Sequence, residues 1–201
     1  MSIMPTRPRR ATLAGNRVHL RPPKRVDQQA FIASTRASRA LHARWVHAPE
    51  TPAAYAAYVA RYRPVNASPI HVGFLVLRNE DDALAGVFNF SEIVRGVFRS
   101  AYVGYYGFAP LAGNGYMTEG FALALDIAFR QLRLHRIEAN VQPANAPSLA
   151  LLERIGFTRE GYSRRYVKIA GRWRDHVRFA MLAEDWKIER PRVRRAIALG
   201  R

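Results

Sequence analysis

The sequence predicts an α+β fold built on a mixed, mostly antiparallel sheet. Strand-like runs follow one another across short turns, as in 70–94 and 157–182, which is the pattern of β-hairpins. Between such runs, apolar residues recur at helical spacing, as at Phe121, Leu125 and Phe129. The predicted order of elements is therefore β-α-α-β-β-β-α-β-α-β-β.

Turn and capping signals define the elements. Alternating residues from Asn16 end at Pro22, and Asp27 is a plausible N-cap for the first helix. Pro52 at a first helical position marks the start of the second helix, and Gly156 stops the last one. The predicted strands are 16–22, 70–78, 84–94, 98–108, 136–142, 157–167 and 172–182, and the predicted helices are 27–38, 52–62, 116–132 and 145–154.

The chain is large enough for one domain with its own core, since it has 201 residues of which 49% are hydrophobic. We assign that domain to 16–186, between a flexible basic N-terminal segment at 1–15 and a basic C-terminal tail at 187–201. The formal net charge is +17, and residues 1–25 alone carry seven Arg or Lys and no acid. Such ends suggest attraction to RNA, as on a ribosome, or to another polyanion. A general role in solubility explains them equally well.

Composition also narrows the class of protein. The chain has no cysteine, which excludes disulfides, thiolate metal sites and a cysteine nucleophile. Its six histidines are scattered without ligand spacing, so no metal is expected. The longest apolar run is too short for a membrane span, and the N-terminus lacks the apolar core of a signal peptide. We therefore expect a cytoplasmic protein without membrane contact, either a monomer or a homodimer.

The most informative segment is the turn at 110–120, which lies between a predicted strand and a predicted helix. Gly113 and Gly115 let the backbone approach a ligand closely, and the helix N-terminus adds N–H groups and partial positive charge. This predicts a phosphate-bearing ligand, although a Gly-x-Gly turn also serves simply to change chain direction. It is not a Walker loop, because no Lys-Ser/Thr pair follows, and Thr118 stands where the dinucleotide fingerprint needs a glycine.

Three stretches give the chain a resemblance to the GNAT superfamily of acetyl-CoA-dependent N-acetyltransferases. One is the Gly-x-Gly turn, and a second is 145–157, with its Asn-x-x-Ser helix start and its final Gly-Phe. The third combines 135–138 with 172–176 and resembles the RimJ/RimL-type branch, which acetylates N-terminal alanine or serine on ribosomal proteins. The resemblance covers roughly 16–186. It implies the GNAT fold, with helices on both faces of a sheet splayed at its middle strands.

The resemblance also implies a place for acetyl-CoA in the gap beside the splayed strand. The backbone of Phe108 and Ala109 would pair with the pantetheine arm, and Asn145 would bind the pantetheine amides unless it only caps its helix. Many relatives carry Gln or Arg at the position of Pro110 and Arg before the first glycine, so this turn has no cation of its own. Backbone N–H groups and the helix dipole would then hold the pyrophosphate, with Arg or Lys from elsewhere. The residues expected there are Ala112, Gly113, Asn114, Gly115, Tyr116 and Met117.

Acid–base residues are expected on both sides of the gap. Glu92, at the end of the strand beside the splay, is the predicted general base, unless it is only an exposed strand-end charge. Glu119 is the second candidate, although an acid in a first helical turn also favours the dipole. Ser148 is the predicted proton donor to sulfur or else a small packing residue. Leu152 stands where many relatives have a tyrosine that protonates the thiolate.

The acceptor is the least determined feature of the sequence. Tyr105, Tyr106 and Trp173 are candidates to line its cleft, together with loops at 38–55 and 95–99. The resemblance implies the N-terminal α-amine of a protein, such as a ribosomal protein. A small amine, such as a polyamine, an amino acid or an antibiotic, is the alternative within the family. A non-catalytic module that binds RNA or the ribosome is the alternative outside it.

Overall fold

The computed structural model describes residues 13–62 and 69–200, in which one eight-stranded sheet is flanked by helices. The predicted N-terminal segment at 1–15 therefore lies, up to residue 12, outside the described residues. The strands are β1 (Leu13–Ala14), β2 (Val18–Arg21), β3 (Val72–Arg78), β4 (Leu84–Val94), β5 (Ser100–Gly107), β6 (Arg136–Val141), β7 (Thr158–Ile169) and β8 (Arg172–Leu182). The helices are α1 (Gln28–Ala37), α2 (Arg39–His42), α3 (Pro52–Tyr62), α4 (Tyr116–Asp126), α5 (Ala146–Ile155) and α6 (Ala183–Ala198).

The strand order across the sheet is β1-β2-β3-β4-β5-β6-β8-β7. Every neighbouring pair is antiparallel except β5 and β6, which run parallel. The parallel pair arises because the chain crosses from β5 to β6 through α4, and a crossover of this kind returns the second strand in the same direction. The predicted fold class, with its mixed and mostly antiparallel sheet, is confirmed.

Helices cover both faces of the sheet because strand residues alternate between the two faces. One core lies under α4, α5 and α6, where the ring centroids of Phe88 and Phe121 are 4.9 Å apart. A second, aromatic core lies under α1 and α3, where the rings of Phe31 and Tyr55 are 4.8 Å apart. Because β5 contributes residues to both cores, its position is fixed from both sides.

Strands β5 and β6 separate shortly after they meet. Their pairing is confined to Ser100–Tyr102 on β5 and Arg136–Glu138 on β6. Beyond this point β5 continues to Gly107 and stays paired with β4, whereas β6 continues to Val141 and stays paired with β8. The sheet is therefore open between its middle strands, as the resemblance implied.

The C-terminal part of the chain differs from the sequence-based expectation. Residues 183–198 form helix α6, whose Val193 is buried in the core under α4. Arg190 and Arg194 bind the carboxylate of Asp126, at 2.7 Å and 2.9 Å. Residues 187–198, which the sequence analysis assigned to a basic C-terminal tail, therefore form part of a helix that is packed and ion-paired against the domain.

None of the helices within 13–62 and 69–200 combines the length and the apolar character that a membrane crossing requires. The same residues contain no group of three or more His, Asp or Glu side chains arranged to hold a metal ion.

Candidate functional site

A cavity of about 1010 Å³ occupies the opening between β5 and β6. One end lies beside the glycine turn and the first residues of α4 and α5, and the other end lies beneath α2 and the loop that follows it. We call these the turn end and the helix α2 end. The cavity therefore passes through the sheet where the two middle strands have no partner on their facing edges.

The turn end is built by backbone conformations that favour glycine. Gly113 and Gly115 have φ angles of +81° and +77°, in the left-handed region, and Gly115 is the N-cap of α4. The Asn114 side-chain amide donates to the carbonyls of Leu111 and Ala112, at 3.3 Å and 3.2 Å. The first N–H groups of α4 have no intrahelical acceptor, so they are available to an anion at this end of the cavity.

Arg17 supplies the cation that the turn lacks in its own sequence. Its Nη1 donates to the carbonyl of Asn114 at 3.1 Å, and its guanidinium lies 5.2 Å from the centre of the Tyr116 ring. The side chain lines the cavity and is 41% exposed, so part of its charge faces the space beside the turn. Sequence reasoning missed this residue because nothing local in 16–22 connects it to a turn almost a hundred residues later.

Glu119 holds Arg17 in place. The Glu119 carboxylate accepts the backbone N–H of Arg17 at 2.8 Å and its Nε at 3.2 Å. The carboxylate is 4% exposed and is not among the cavity-lining side chains. These contacts give Glu119 a structural role at the start of α4, so the structure does not support it as a base.

Phe108 and Ala109 do not offer the free edge that the resemblance implied. The Phe108 N–H donates to the Ala85 carbonyl at 2.9 Å, and the Ala109 N–H donates to Ser38 Oγ at 2.8 Å. Both carbonyls accept bonds within the short 3₁₀ turn that follows β5. The structure therefore corrects this prediction and leaves residues 103–107 as the unpaired edge.

The edge at 103–107 faces the cavity with alternate backbone groups. Phe108 bonds to β4, and bonding directions alternate along an antiparallel strand, so the groups of Val103, Tyr105 and Gly107 point toward the opening. The Gly107 carbonyl already accepts the Nε2–H of His42 at 2.8 Å. The remaining donors and acceptors are available to an extended ligand.

Asn145 and Ser148 stand at the start of α5, where both line the cavity. Asn145 is the N-cap, and its Oδ1 accepts the Ser148 N–H at a long 3.4 Å. A hydrogen bond of 2.6 Å joins Ser148 Oγ to Tyr105 Oη. Burial raises the pKa of Tyr105, so its hydroxyl keeps its proton. Tyr105 packs between Phe88 and Phe121 and also lines the cavity, with its hydroxyl beside Ser148.

The helix α2 end is lined by aromatic and imidazole groups. Tyr106 lines it, in edge contact with His42 at 5.1 Å, and burial raises the pKa of Tyr106. Trp45 follows α2 and lines the same space, so the predicted loop at 38–55 does contribute. Trp173 is 60% exposed and is absent from the lining, as is the loop at 95–99. Both were predicted to line the acceptor cleft, and the structure brings neither of them into the cavity.

Two further polar residues line the cavity at the helix α2 end, and sequence reasoning gave neither a role. Asn140 lies on β6, and its Oδ1 is buried without a hydrogen-bond partner in the described residues. His176 lies on β8 and is 4% exposed. Burial lowers the pKa of the His176 imidazole below its ordinary value. In the sequence analysis, 172–176 was noted only because it resembles the RimJ/RimL-type branch. That resemblance did not indicate that His176 lines the cavity.

Glu92 lies outside the cavity lining. It sits at a β-bulge of β4, between the pairs formed by Ser91 and Val94, with a φ of +50°. Its side chain is exposed, although its charge contributes to a raised pKa of Tyr62, after burial as the main cause. Tyr62 itself lines the cavity, so Glu92 is near the rim rather than inside.

Comparison with known proteins adds an independent finding. A family model described as an acetyltransferase (GNAT) domain matches residues 17–158. A probable N-acetyltransferase of Bacillus subtilis is 43% identical over 112 residues, which are 56% of this chain and 62% of that protein. The ribosomal protein uS5 alanine N-acetyltransferase of Escherichia coli is 42% identical over 107 residues, 53% of this chain and 55% of that protein. The matched region thus spans less than two thirds of these relatives.

Among solved structures, Mycobacterium smegmatis RimJ in complex with CoA-disulfide is similar over most of its length. It has a TM-score of 0.81 and 29% identity, covering 92% of this chain and 90% of that chain. A ribosomal-protein-S5-alanine acetyltransferase from Vibrio fischeri has a TM-score of 0.78 at 24% identity, a likeness of fold alone.

Proposed function

The chain belongs to the acetyltransferase (GNAT) family, and on this premise we propose that it transfers an acetyl group from acetyl-CoA to an amine. The acceptor that we propose is the N-terminal α-amine of a protein, such as a ribosomal protein that begins with alanine or serine. The observation that carries the proposal is the cavity through the sheet, which joins an anion-binding turn to a second, polar and aromatic end.

The turn end fits the diphosphate of acetyl-CoA. The N–H groups from Ala112 to Met117 would hold it, aided by the dipole of α4. Arg17 adds a positive charge beside the same N–H groups. The glycines at 113 and 115 matter because the left-handed backbone turns successive N–H groups toward one point.

The opening between the strands fits the pantetheine arm. The free edge at 103–107 would receive it as an added strand, with Asn145 on the opposite side of the cavity. RimJ of Mycobacterium smegmatis, to which the chain is similar, was solved with CoA-disulfide. That relative supports a coenzyme A ligand for this fold.

The protein's own residues then orient the reactants and move protons. Acetyl-CoA supplies a thioester carbonyl and a thiol leaving group. A backbone N–H of the 103–107 edge would donate to the carbonyl oxygen as negative charge develops there. Ser148 Oγ would donate a proton toward sulfur, and Tyr105 holds that hydroxyl at 2.6 Å. Bringing two reactants together in one cavity supplies a large share of the rate.

Similarity and the acidity of an N-terminal ammonium support a protein N-terminus as acceptor. An Escherichia coli relative acts on the alanine of ribosomal protein uS5. An N-terminal ammonium has a pKa of about 7.7–8.0, so it needs only a weak base. Such an acceptor implies that the protein works in the cytoplasm. Glu92 would act as the base only through water, because its side chain is exposed at the rim.

A basic surface would support binding to an RNA-rich partner such as the ribosome. The β7–β8 hairpin carries cations whose side chains are exposed and form no ion pair with other described residues. Asp175 is the one acid in 161–182, and it accepts hydrogen bonds from the Tyr162 hydroxyl and from the Arg165 backbone N–H. These cations are Arg164, Arg165, Lys168, Arg172 and Arg174. This hairpin, more than the ion-paired α6, is our candidate for RNA contact.

Mass spectrometry tests the proposed acceptor. The full chain is incubated with acetyl-CoA and peptides that differ only in beginning with Ala, Ser or Met. We expect one acetyl group on the α-amine of the Ala or Ser peptide and none on the same peptide with a blocked N-terminus. Acetylation of spermidine but of no peptide would identify a small-amine enzyme. Binding of acetyl-CoA without transfer to any amine would favour the non-catalytic module.

A further inference from the structure

We infer that His176 is the general base that removes the proton from the acceptor amine and that Asn140 binds the same amine. The inference rests on the proposed function, since it assigns residues at the helix α2 end of the same cavity. It replaces the exposed Glu92 with two polar groups that line the cavity itself.

The two residues share one face of the sheet. Asn140 pairs with Arg178 across β6 and β8, and His176 lies two residues from Arg178. Residues two apart on a strand point to the same face, so Asn140 and His176 are diagonal neighbours. Diagonal neighbours on adjacent antiparallel strands are about 7–8 Å apart, close enough for one small group to contact both.

The hydrogen bond made by Nδ1 of His176 determines that Nε2 is the nitrogen able to accept a proton from a substrate. The Nδ1 atom lies 3.1 Å from the carbonyl oxygen of Arg174. A carbonyl oxygen only accepts, so Nδ1 must carry the proton and donate it. In the neutral imidazole the other nitrogen, Nε2, then has a free lone pair. It makes no hydrogen bond within the part of the chain that the structure describes.

The surroundings of His176 keep the ring neutral. Burial lowers its pKa, against smaller opposing effects from the Arg174 carbonyl and the Asp175 carboxylate. The Tyr166 ring of β7 contacts it edge-on at 5.8 Å. On β8, Arg178 binds Glu138 of β6, so that carboxylate is already engaged.

Within 13–62 and 69–200, the permanently charged side chains that line the cavity are two cations, Arg17 and Arg154. The helix α2 end contributes His42 and Tyr106 to the lining, and Nε2–H of His42 is donated to Gly107. Tyr106 keeps its proton because burial raises its pKa.

No carboxylate lines the cavity in the described residues, so the strongest proton acceptors among its lining side chains are the imidazoles of His42 and His176. The free Nδ1 of His42 is fully buried, whereas His176 is the imidazole beside Asn140.

Asn140 gives the second observation that points to a ligand. Its Oδ1 is buried without a partner, and an unsatisfied buried acceptor destabilises the folded protein. Most buried polar atoms in folded proteins have a partner, so this one calls for a hydrogen-bond donor that is absent from the protein. An amine carries such donors. Asn140 Oδ1 and His176 Nε2 together offer it two acceptors.

The proton transfer then balances as follows. The ammonium form of the acceptor gives one proton to His176 Nε2, and the freed nitrogen electron pair then forms the new bond to the acetyl carbon. The carbon–sulfur bond breaks as Ser148 Oγ donates its proton to the sulfur, and Ser148 regains a proton through water from the nitrogen of the new amide. The imidazolium returns its proton to water through the open cavity. The products are the amide and free coenzyme A.

The first test reads the tautomer of His176 without any turnover. The full chain is labelled with ¹⁵N-histidine, and the His176 signals are assigned by their loss in His176→Gln. We expect a neutral ring at pH 7 with the proton on Nδ1. A ring protonated on Nε2, or on both nitrogens, at pH 7 overturns the inference even if no acceptor is ever found.

The second test compares kcat/KM for the accepted peptide across pH 6–9 at saturating acetyl-CoA. Loss of a general base costs typically 10²–10⁴-fold, and we expect His176→Gln to lose about 100-fold or more at pH 7. The loss should shrink at high pH, where more of the amine is already neutral. His135→Gln is the matched control, since His135 is exposed beside Glu184 and away from the cavity.

Folding and function are separated by two further measurements. Acetyl-CoA affinity of His176→Gln should stay within about twofold of the original protein, which shows that the fold and turn end are intact. Asn140→Leu removes the unsatisfied acceptor, so we expect its thermal stability to be unchanged or higher. Its kcat/KM for the accepted peptide should fall about tenfold. A His176→Gln variant within threefold of the original kcat/KM, or a larger loss in Glu92→Gln, overturns the assignment. If the original protein acetylates no amine at all, the proposed function fails instead.

Discussion

Arg17 and Glu119 are 102 residues apart in the sequence and form a two-point contact at the mouth of the cavity. The Arg17 backbone N–H and its Nε both donate to the Glu119 carboxylate, while Nη1 reaches the Asn114 carbonyl. Arg17, the residue before β2, thus connects this strand to the glycine turn and to the first turn of α4. Through this contact the N-terminal part of the sheet places a positive charge at the turn end.

Replacing Arg17 should therefore affect both stability and ligand affinity. Arg17→Ala leaves the buried Glu119 carboxylate without a charged partner, and we expect a loss of about 1–3 kcal/mol in the free energy of unfolding. Acetyl-CoA affinity should fall about tenfold, the loss of one charge-assisted contact to phosphate. Chemical denaturation and calorimetric titration measure the two effects. Arg17→Lys keeps the positive charge but loses the several hydrogen-bond donors of the guanidinium. It should therefore restore acetyl-CoA affinity more than the free energy of unfolding. Unchanged affinity in Arg17→Ala would remove Arg17 from the diphosphate site.

Gly115 and Gly171 form a matched pair for testing the turn. Both have a φ of +77°, so a valine costs each about 1–2 kcal/mol of backbone strain. A Cβ at Gly115 lies 3.2 Å from Arg17 Nη2, whereas a Cβ at Gly171 meets nothing within 4 Å. We expect Gly115→Val to abolish measurable acetyl-CoA binding and Gly171→Val to retain it at similar thermal stability. Equal binding by both variants would mean that the turn does not hold the ligand.

The hydroxyl of Tyr105 should matter for chemistry rather than for coenzyme binding. Tyr105→Phe keeps the packing on Phe88 and Phe121 but removes the bond to Ser148 Oγ. We expect kcat to fall about tenfold, with an unchanged KM for acetyl-CoA, because a displaced Ser148 protonates sulfur less well. Tyr105→Phe in a Ser148→Ala background should cause little further loss. Fully multiplicative losses would show that the two residues act independently.

Helix α6 should be required for stability. Arg190→Ala leaves Asp126, which is 4% exposed, with one cation fewer, and we expect a loss of about 1–3 kcal/mol. Arg192→Ala is the control on the same helix, since its partner Glu189 is more exposed and surface pairs contribute about 0–1 kcal/mol. Deleting 187–201 should destabilise more than either, because it also removes the buried Val193. A deletion with an unchanged melting temperature would contradict the packing of α6.

The His176 pKa makes folding stability depend on pH. Its pKa is lower in the folded protein than the ordinary 6.5, so the unfolded chain binds the proton first as pH falls. Stability from the buried neutral ring is therefore fully present above about pH 6.5 and is lost as pH falls through the folded pKa. The measurement is the free energy of unfolding at pH 8 to 4.5 for the original protein and His176→Gln. We expect the difference between them to shrink below pH 6.5, and a constant difference would contradict the burial of a neutral ring.

Features set by local sequence were predictable. The helix start at Pro52 is capped by Thr51, whose Oγ accepts the Ala54 N–H at 3.2 Å. Gly156 ends α5 with a φ of +96°. The glycine turn and the Asn145 cap depend on residues a few positions apart, so their spacing was visible in the chain.

Features that depend on partners distant in the sequence were not predictable. The edge assigned to Phe108 and Ala109 depends on Ser38, which lies 71 residues before Ala109. The tautomer of His176 depends on the position of the Arg174 backbone carbonyl, which the amino-acid sequence alone does not reveal. Helix α6 was missed because Pro191 normally breaks a helix interior and its many cations suggested a solvated tail. Its arginines contact Asp126, which lies more than sixty residues earlier in the sequence.

The short contact between β5 and β6 has a mechanical consequence. Only three residue pairs join the five strands on one side to the three on the other, so strand pairing between the two blocks is confined to this narrow bridge. A molecule that hydrogen-bonds across the cleft would lengthen the bridge and make the blocks move as one. Amide exchange in β4 and β8, which lie on opposite blocks, should then slow together when coenzyme is added.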